Sequence, residues 1–211
     1  MSEGAKGQGS GATAAFTIDL DRCIGCHTCT VACQMEKGLA PGLALIPVQT
    51  VGGARDVPQG VYPALCLDYV PRPCAQCQSP PCVPACPSEA LCRRDDGLVT
   101  IDTSLCTGCG DCLPACPYGA IVMDGEGIAH KCDLCASRLD QGLEPACVIC
   151  CPTRALTTAG GPATDRGWAP SPHLGTDPAL RYSTRDAERR ERVRSYLESL
   201  AALPVSPNPP A

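Results

Sequence analysis

The sequence predicts an α+β fold in which two small modules stand in tandem and enclose metal centres instead of a large side-chain core. Three observations lead there. The 211 residues include 19 cysteines, a density that marks either a disulfide scaffold or a set of metal sites. One Trp, one Phe and five Tyr, against 22 Pro and 21 Gly, leave too little bulky apolar material to fill a core. The cysteines also fall into four groups at recurring spacings. Inorganic centres would then occupy the middle and supply much of the folding free energy.

The chain divides, on this reading, into a flexible N-terminus (1–14), a core carrying all four cysteine groups (15–158) with an inserted segment (34–73), and a C-terminal arm and helix (159–211). The opening MSEGAKGQGSGATAAF holds neither an apolar signal-peptide core nor a twin arginine, so no export signal of its own is expected. That removes most support for disulfides, and an odd cysteine count removes more. No apolar run reaches the ~18 residues of a spanning helix. The best stretch, LAPGLALIPV (39–48), is interrupted by two prolines, so direct membrane insertion is not expected. The net charge of −5 argues against a nucleic-acid partner.

The first cysteine group is CIGCHTCTVAC, with Cys23, Cys26, Cys29 and Cys33. The second, CAQCQSPPCVPACP, holds Cys74, Cys77, Cys82 and Cys86. The third, CTGCGDCLPACP, holds Cys106, Cys109, Cys112 and Cys116. The fourth comprises Cys132 and Cys135 in CDLC, then Cys147 and Cys151 in CVICCP. Three groups continue alike, as CPSEAL (86–91), CPYGAI (116–121) and CPTRAL (151–156). Superposing them sets Cys151 level with Cys86 and Cys116, so Cys151 is the expected ligand and Cys150 the spare, level with Ala85 and Ala115.

A C-x2-C turn aims two thiolates at one point and serves zinc as well as iron, but zinc sites usually draw on two separated pairs. A third cysteine followed by C-x3-C-P wraps three corners of an iron–sulfur cubane and sends its fourth thiolate to a second cluster, as in two-cluster bacterial ferredoxins. The proline stops the short helix that carries that fourth ligand. CIGCH (23–27) also matches the c-type haem signature, but both its cysteines already belong to a four-cysteine run. His27 is expected to be a loop residue near a cluster.

Between groups two and three, RRDDGLVTID (93–102) predicts a hairpin turning at Asp96-Gly97. Cys92, level with Val122 in the third copy, and Cys66 in YPALCLDYV both read as buried small apolar residues. The insertion could add strands or a contact surface. Lys131, beside Cys132, is either a charge that raises a cluster potential or a solvated lysine. Residues 159–178 are turn-rich and predict a linker or extended arm. TRDAERRERVRSYLESLAAL (184–203) predicts a helix capped by Thr184 or Asp186, its arginines on a solvated face and PVSPNPPA ending it. The arm is expected to contact a partner subunit.

Residues 15–158, through CIGCHTCTVAC, CAQCQSPPCVPACP, DGLVTIDTSLCTGCGDCLPACPYGAI and KCDLCASRLDQGLEPACVICCPTRAL, resemble the four-cluster ferredoxin-like electron-transfer subunits of molybdopterin oxidoreductases, the dimethyl sulfoxide reductase type. Departures are Cys150 beside Cys151 and Gln34 in place of proline after Cys33. The resemblance implies that paired groups exchange their last cysteines. Cys23, Cys26, Cys29 and Cys151 would hold one 4Fe–4S cluster, and Cys132, Cys135, Cys147 and Cys33 a second. Cys74, Cys77, Cys82 and Cys116 would hold a third, and Cys106, Cys109, Cys112 and Cys86 a fourth. It also implies a non-catalytic relay between a molybdopterin-containing catalytic subunit and an integral, quinone-reactive membrane anchor. On this view the chain is cytoplasmic or reaches the membrane through those partners, and co-export with a partner that carries a twin-arginine signal is the alternative. The substrates suggested are sulfoxides, sulfur oxyanions, polysulfide or arsenate. An electron-transfer subunit of a hydrogenase or formate dehydrogenase is the alternative, and a zinc-stapled interaction protein a further one. No catalytic constellation is legible around His27, His130 or His173.

Overall fold

In the computed structural model, residues 16–51, 57–158 and 167–201 are described. The expected flexible segment 1–14, the first part of the 159–178 linker and the PVSPNPPA tail lie outside them. No helix among the described residues is long and apolar enough to cross a membrane.

Strands and cysteine groups alternate along the chain. β1 (Phe16–Asp19) leads into the first group, and α1 (Thr28–Lys37) carries Cys29 and Cys33. With Gln34 where other groups have proline, α1 runs past Cys33 and ends at Gly38, whose φ of 61° permits the left-handed cap. The insertion supplies β2 (Val48–Thr50) and β3 (Tyr69–Pro71), an antiparallel ribbon ahead of the second group. β4 (Leu91–Arg93) pairs with β5 (Val99–Ile101), and β6 (Ile121–Met123) with β7 (Ala129–Lys131). The β4–β5 turn comes at Asp96-Gly97 as expected, with Asp96 Oδ1 accepting the Leu98 N–H at 3.1 Å. Asp124 plays that part in the next ribbon, accepting from Glu126 and Ile128.

Single-turn helices carry the later ligands: α2 (Cys112–Ala115), α3 (Ala136–Leu139) and α4 (Ala146–Ile149). Pro117 and Pro152 follow directly on Cys116 and Cys151, where each turn stops. β8 (Leu156–Thr158) then pairs antiparallel with β1, making a fourth ribbon from opposite ends of the core.

Two expectations for the C-terminal segment are corrected here. Residues 180–201 are not a free arm, since β9 (Leu180–Ser183) adds parallel to the other edge of β1. After it, α5 (Ala187–Ala201) buries Val193 and Leu197 in the core. Asp186 caps α5, its Oδ1 accepting the N–H groups of Glu188 and Arg189. Nor are the arginines one solvated face. Arg189 and Arg192 donate to Asp68 at 2.7 and 2.8 Å, and Arg189 also reaches Asp21 at 2.9 Å. Arg190 lies over the Trp168 ring, 5.6 Å from its centroid. The cause is Asp68, a buried carboxylate that requires counter-charge.

The second half of the supposed linker is also built into the fold. Gln78 and Ser79 donate their N–H groups to Asp177 and Thr176, and Ala179 donates to Ala75. Behind it lies the apolar centre, with Phe16, Ile18, Val70, Leu98, Leu180 and Tyr182 nearly inaccessible and the cysteines packed among them.

Candidate metal centres

Each C-x2-C turn is curled by one left-handed residue before its second cysteine: Gly25 (φ 68°), Gln76 (47°), Gly108 (72°) and Leu134 (54°). Successive N–H groups then point to one side and form an anion-accepting hollow. Glycine does this without strain, whereas Gln76 has to be held there. Its Nε2 donates to Cys132 O at 2.7 Å and its Oε1 accepts the Val99 N–H at 2.8 Å.

A second device recurs three residues past the last cysteine of groups two, three and four. Glu89, Gly119 and Arg154 are left-handed with φ of 54°, 57° and 53°. The next N–H is thereby aimed back at sulfur. Ala120 donates to Cys116 Sγ at 3.5 Å and Ala155 to Cys151 Sγ at 3.3 Å. At Cys86, against the cost of burial, bonds from the Ser88 hydroxyl and the Leu91, Ala90 and Ser88 N–H groups hold the thiol below its ordinary value. Cys151 is held low in the same way, against burial, by Leu156, Thr153 and Ala155.

The thiols gather in four sets. Cys23, Cys26, Cys29 and Cys151 line one cleft with about 300 Å³ of atom-free space. Cys74, Cys77, Cys82 and Cys116 line another of about 320 Å³. Burial first, and the neighbouring Cys135 next, push the Cys33 thiol up to about 12. Burial also raises Cys132, with Cys147 and Cys33 adding to it, and Cys147, with Cys135 and Cys33 adding to it. Cys112 is pushed up to about 11 by burial, with Cys109, Cys106 and Cys86 beside it. The Ala129 N–H reaches Cys106 Sγ at 3.4 Å.

This donor set fits an iron–sulfur cubane. Among the described residues no three His, Cys, Asp or Glu side chains close on a single ion, as a zinc ion with ~2.3 Å bonds to sulfur would require. In a cubane each thiolate meets its own iron, so the four sulfurs surround a volume instead of a point. Thiols such as Cys29, Cys77 and Cys82, raised by burial to about 12, also need a strongly cationic ligand to remain ionised.

Of the remaining cysteines, Cys150 is exposed beside buried Cys151. Cys92 corrects the expectation of burial: the pleat turns it away from buried Leu91, and it lies exposed, 3.2 Å from Thr100 Oγ1. Cys66 is partly buried. His27 lines the first cleft at a left-handed turn. Lys131 is not solvated: it is buried and lines the Cys74–Cys116 cleft. Reasoning from sequence missed Thr176, which lowers the Cys77 thiol against the effect of burial and lies 2.6 Å from the Tyr118 hydroxyl. No cysteine spacing points to a threonine so far along the chain.

Fold and site together define a ferredoxin-like iron–sulfur protein. A 4Fe-4S dicluster domain model matches residues 65–160, and a 4Fe-4S binding domain model matches residues 14–35. The chain is 40% identical over 144 residues to a polypeptide of the anaerobic dimethyl sulfoxide reductase of Escherichia coli, covering 67% of this chain and 70% of that one. It is 38% identical over 141 residues to a polypeptide of the polysulfide reductase of Wolinella succinogenes, covering 66% and 72%. With a polypeptide of the tetrathionate reductase of Salmonella typhimurium it shares 44% over 138 residues, covering 65% and 54%. The chain is a member of the dimethyl sulfoxide reductase-type family of iron–sulfur subunits. It spans only 63% and 54% of the length of two of the relatives it matches. The family's cofactors are 4Fe–4S clusters, and the four cysteine groups account for four of them.

Proposed function

We propose that this chain is the electron-transfer subunit of a respiratory oxidoreductase. It would relay single electrons between a molybdopterin-containing catalytic subunit and a membrane anchor that exchanges electrons with quinone. When bound, 4Fe–4S clusters supply one-electron redox chemistry with little change of geometry. The residues holding them are the sixteen cysteines of the four quartets. Full cysteine ligation leaves no iron open to substrate, so the chain itself is not an enzyme.

The observation that carries this reading is the way the quartets interlock. Cys29 and Cys33 lie one turn apart on α1 yet face different sets, as do Cys147 and Cys151 across the end of α4. Across the sets, Cys29 acts on the Cys147 thiol and Cys74 on Cys132. Those neighbours support an order beginning with Cys23/26/29/151 and passing to Cys33/132/135/147. Cys74/77/82/116 then follow, and Cys86/106/109/112 come last. Such a row suits charge transport from one end to the other.

Two tandem dicluster modules would make up residues 15–158, with 34–73 as an insertion. The C-terminal segment 159–211 would offer the outer face of α5 to a partner. Relatives named for dimethyl sulfoxide, polysulfide and tetrathionate reductases support a sulfoxide or sulfur-compound substrate for the complex. Through its partners the chain would sit at the membrane. Anaerobic purification with its companions tests the proposal. The expected result is brown protein with ~16 irons and as much acid-labile sulfide per chain, together with a molybdenum- or tungsten-bearing partner. Colourless zinc protein, or an iron carrying an exchangeable ligand, would refute it.

A further inference from the structure

The four quartets are not electrostatically alike, and the difference centres on one side chain. Lys131 is 3% exposed, and its Nζ donates to Val99 O and to Cys132 O. Among the described residues no carboxylate lies within ion-pair distance of it. A buried ammonium held by two carbonyls alone is costly and needs a counter-ion. Lys131 lines the cleft of Cys74, Cys77, Cys82 and Cys116, and its charge acts on Cys82 and Cys116, although along the chain it adjoins Cys132 of another quartet. Among the described residues, the anion that would answer it is a thiolate-ligated cluster in that cleft.

Among the described residues the other quartets lack this feature. Lys37 approaches Cys33 and Cys135 but is neutralised by Asp133 at 2.7 Å, and both side chains are about one-fifth exposed. Around Cys86 and Cys151 the contributors are hydroxyl and N–H groups: Ser88, Ala90 and Leu91 at one, Thr153, Ala155 and Leu156 at the other. At the Cys74–Cys116 quartet a hydroxyl adds to the charge. Buried Thr176, whose carbonyl accepts the Ser79 N–H beside Cys77, works against burial to lower that thiol, with the Tyr118 hydroxyl 2.6 Å from its own.

We propose that Lys131, assisted by Thr176, makes the cluster held by Cys74, Cys77, Cys82 and Cys116 the strongest electron acceptor of the four, so that an electron entering the row rests there. A positive charge beside a cluster favours its more negative, reduced form. Burial leaves that attraction little screened, and a hydrogen bond to a ligand sulfur acts in the same direction. The exchange is one electron gained at this centre for one lost by its neighbour. Gln76 serves as a positioning residue, since it holds Val99 N–H and Cys132 O, whose two residues also supply the carbonyls that seat Nζ.

This inference rests on the four-cluster reading above, so each sample is first assayed for iron and sulfide. A wild-type chain far short of ~16 irons would defeat that reading by itself. Potentiometric titration of the fully loaded chain, followed by electron paramagnetic resonance, then tests the role of Lys131. In Lys131→Met one of four reduction signals should lose at least tenfold in electron affinity, ~59 mV for a one-electron couple, while the others change less than threefold. Thr176→Val should move the same signal in the same direction by less, and Lys131→Arg should leave it in place. If all four signals shift together, if none shifts, or if the two variants move different signals, the proposal is overturned. Should Lys131→Met load fewer clusters, Thr176→Val decides: one signal lowered supports the proposal, and four unchanged overturn it.

Discussion

Replacing Asp68 with alanine tests whether the C-terminal helix is part of the cluster shell. The Asp68 side chain is 2% exposed and receives two charged hydrogen bonds, from Arg189 at 2.7 Å and Arg192 at 2.8 Å. Such bonds contribute ~1.5–3 kcal/mol each when fully formed. Both arginines are more than one-quarter exposed, however, and would regain water once released. Arg189 would also keep Asp21 at 2.9 Å. Discounting for both, Asp68→Ala should loosen α5 by about 2 kcal/mol, roughly a thirtyfold rise in its open population. Hydrogen exchange on the cluster-loaded chain reads this directly. Amides of 187–201 should exchange about thirtyfold faster while β6 and β7 keep their protection. Arg194→Ala is the control, because its exposed pair with Glu198, at 3.6 Å, should contribute under ~0.5 kcal/mol. Unchanged protection over α5, or equal loosening throughout the chain, would refute the idea that Asp68 latches this helix.

Two further outcomes concern the ligand turns. In Gly108→Ala the new Cβ would lie 2.7 Å from the Gly127 carbonyl at φ 72°, adding ~1–2 kcal/mol of backbone strain to a displaced β6–β7 turn. Iron analysis should show about four fewer irons, from the Cys86/106/109/112 quartet. Gly110→Ala, whose nearest contact is Leu113 at 3.6 Å, should lose less. Cys150→Ser should retain ~16 irons and Cys151→Ser should not. The reverse result would exchange their roles.

Much of the site was legible because its information is local and repeated. The C-P-x-x-A segments align Cys86, Cys116 and Cys151 by inspection, and the structure gives all three the same left-handed turn. The Asp96-Gly97 hairpin was equally plain, since its turn chemistry lies within a few residues. What escaped depends on distant partners. The parallel pairing of β1 with β9 joins residues 16–19 to 180–183, and no short window contains both. An arginine-rich helix reads as solvated until Asp68 is found beneath it. Cys92 was judged by analogy with Val122, but that alignment carries no information on whether a covering element exists. For Lys131 the sequence offered two alternatives, and only the packing of β7 against the Cys74–Cys116 cleft separates them.

The arrangement of the ribbons explains why so polar a C-terminal segment is retained in the core. β4–β5 and β6–β7 are local hairpins that close themselves with tight turns. β1 and β8 have no such turn between them: they are the two ends of the cysteine-bearing core, and they meet only if the middle is already in place. The proposed exchange of Cys33 and Cys151 would make the same demand, because neither of the two quartets built from the first and fourth cysteine groups is complete until the ends meet. That leaves β1 with an open edge, a liability for any short strand. β9 covers the edge, while residues 176–180 run along the 75–79 loop and bring Thr176 to Cys77. One ligand-free stretch thus fastens the closure where the first and fourth cysteine groups meet and walls the Cys74–Cys116 cleft. Undocking it should therefore disturb cluster environments at two separate places, which a merely partner-facing arm would leave untouched.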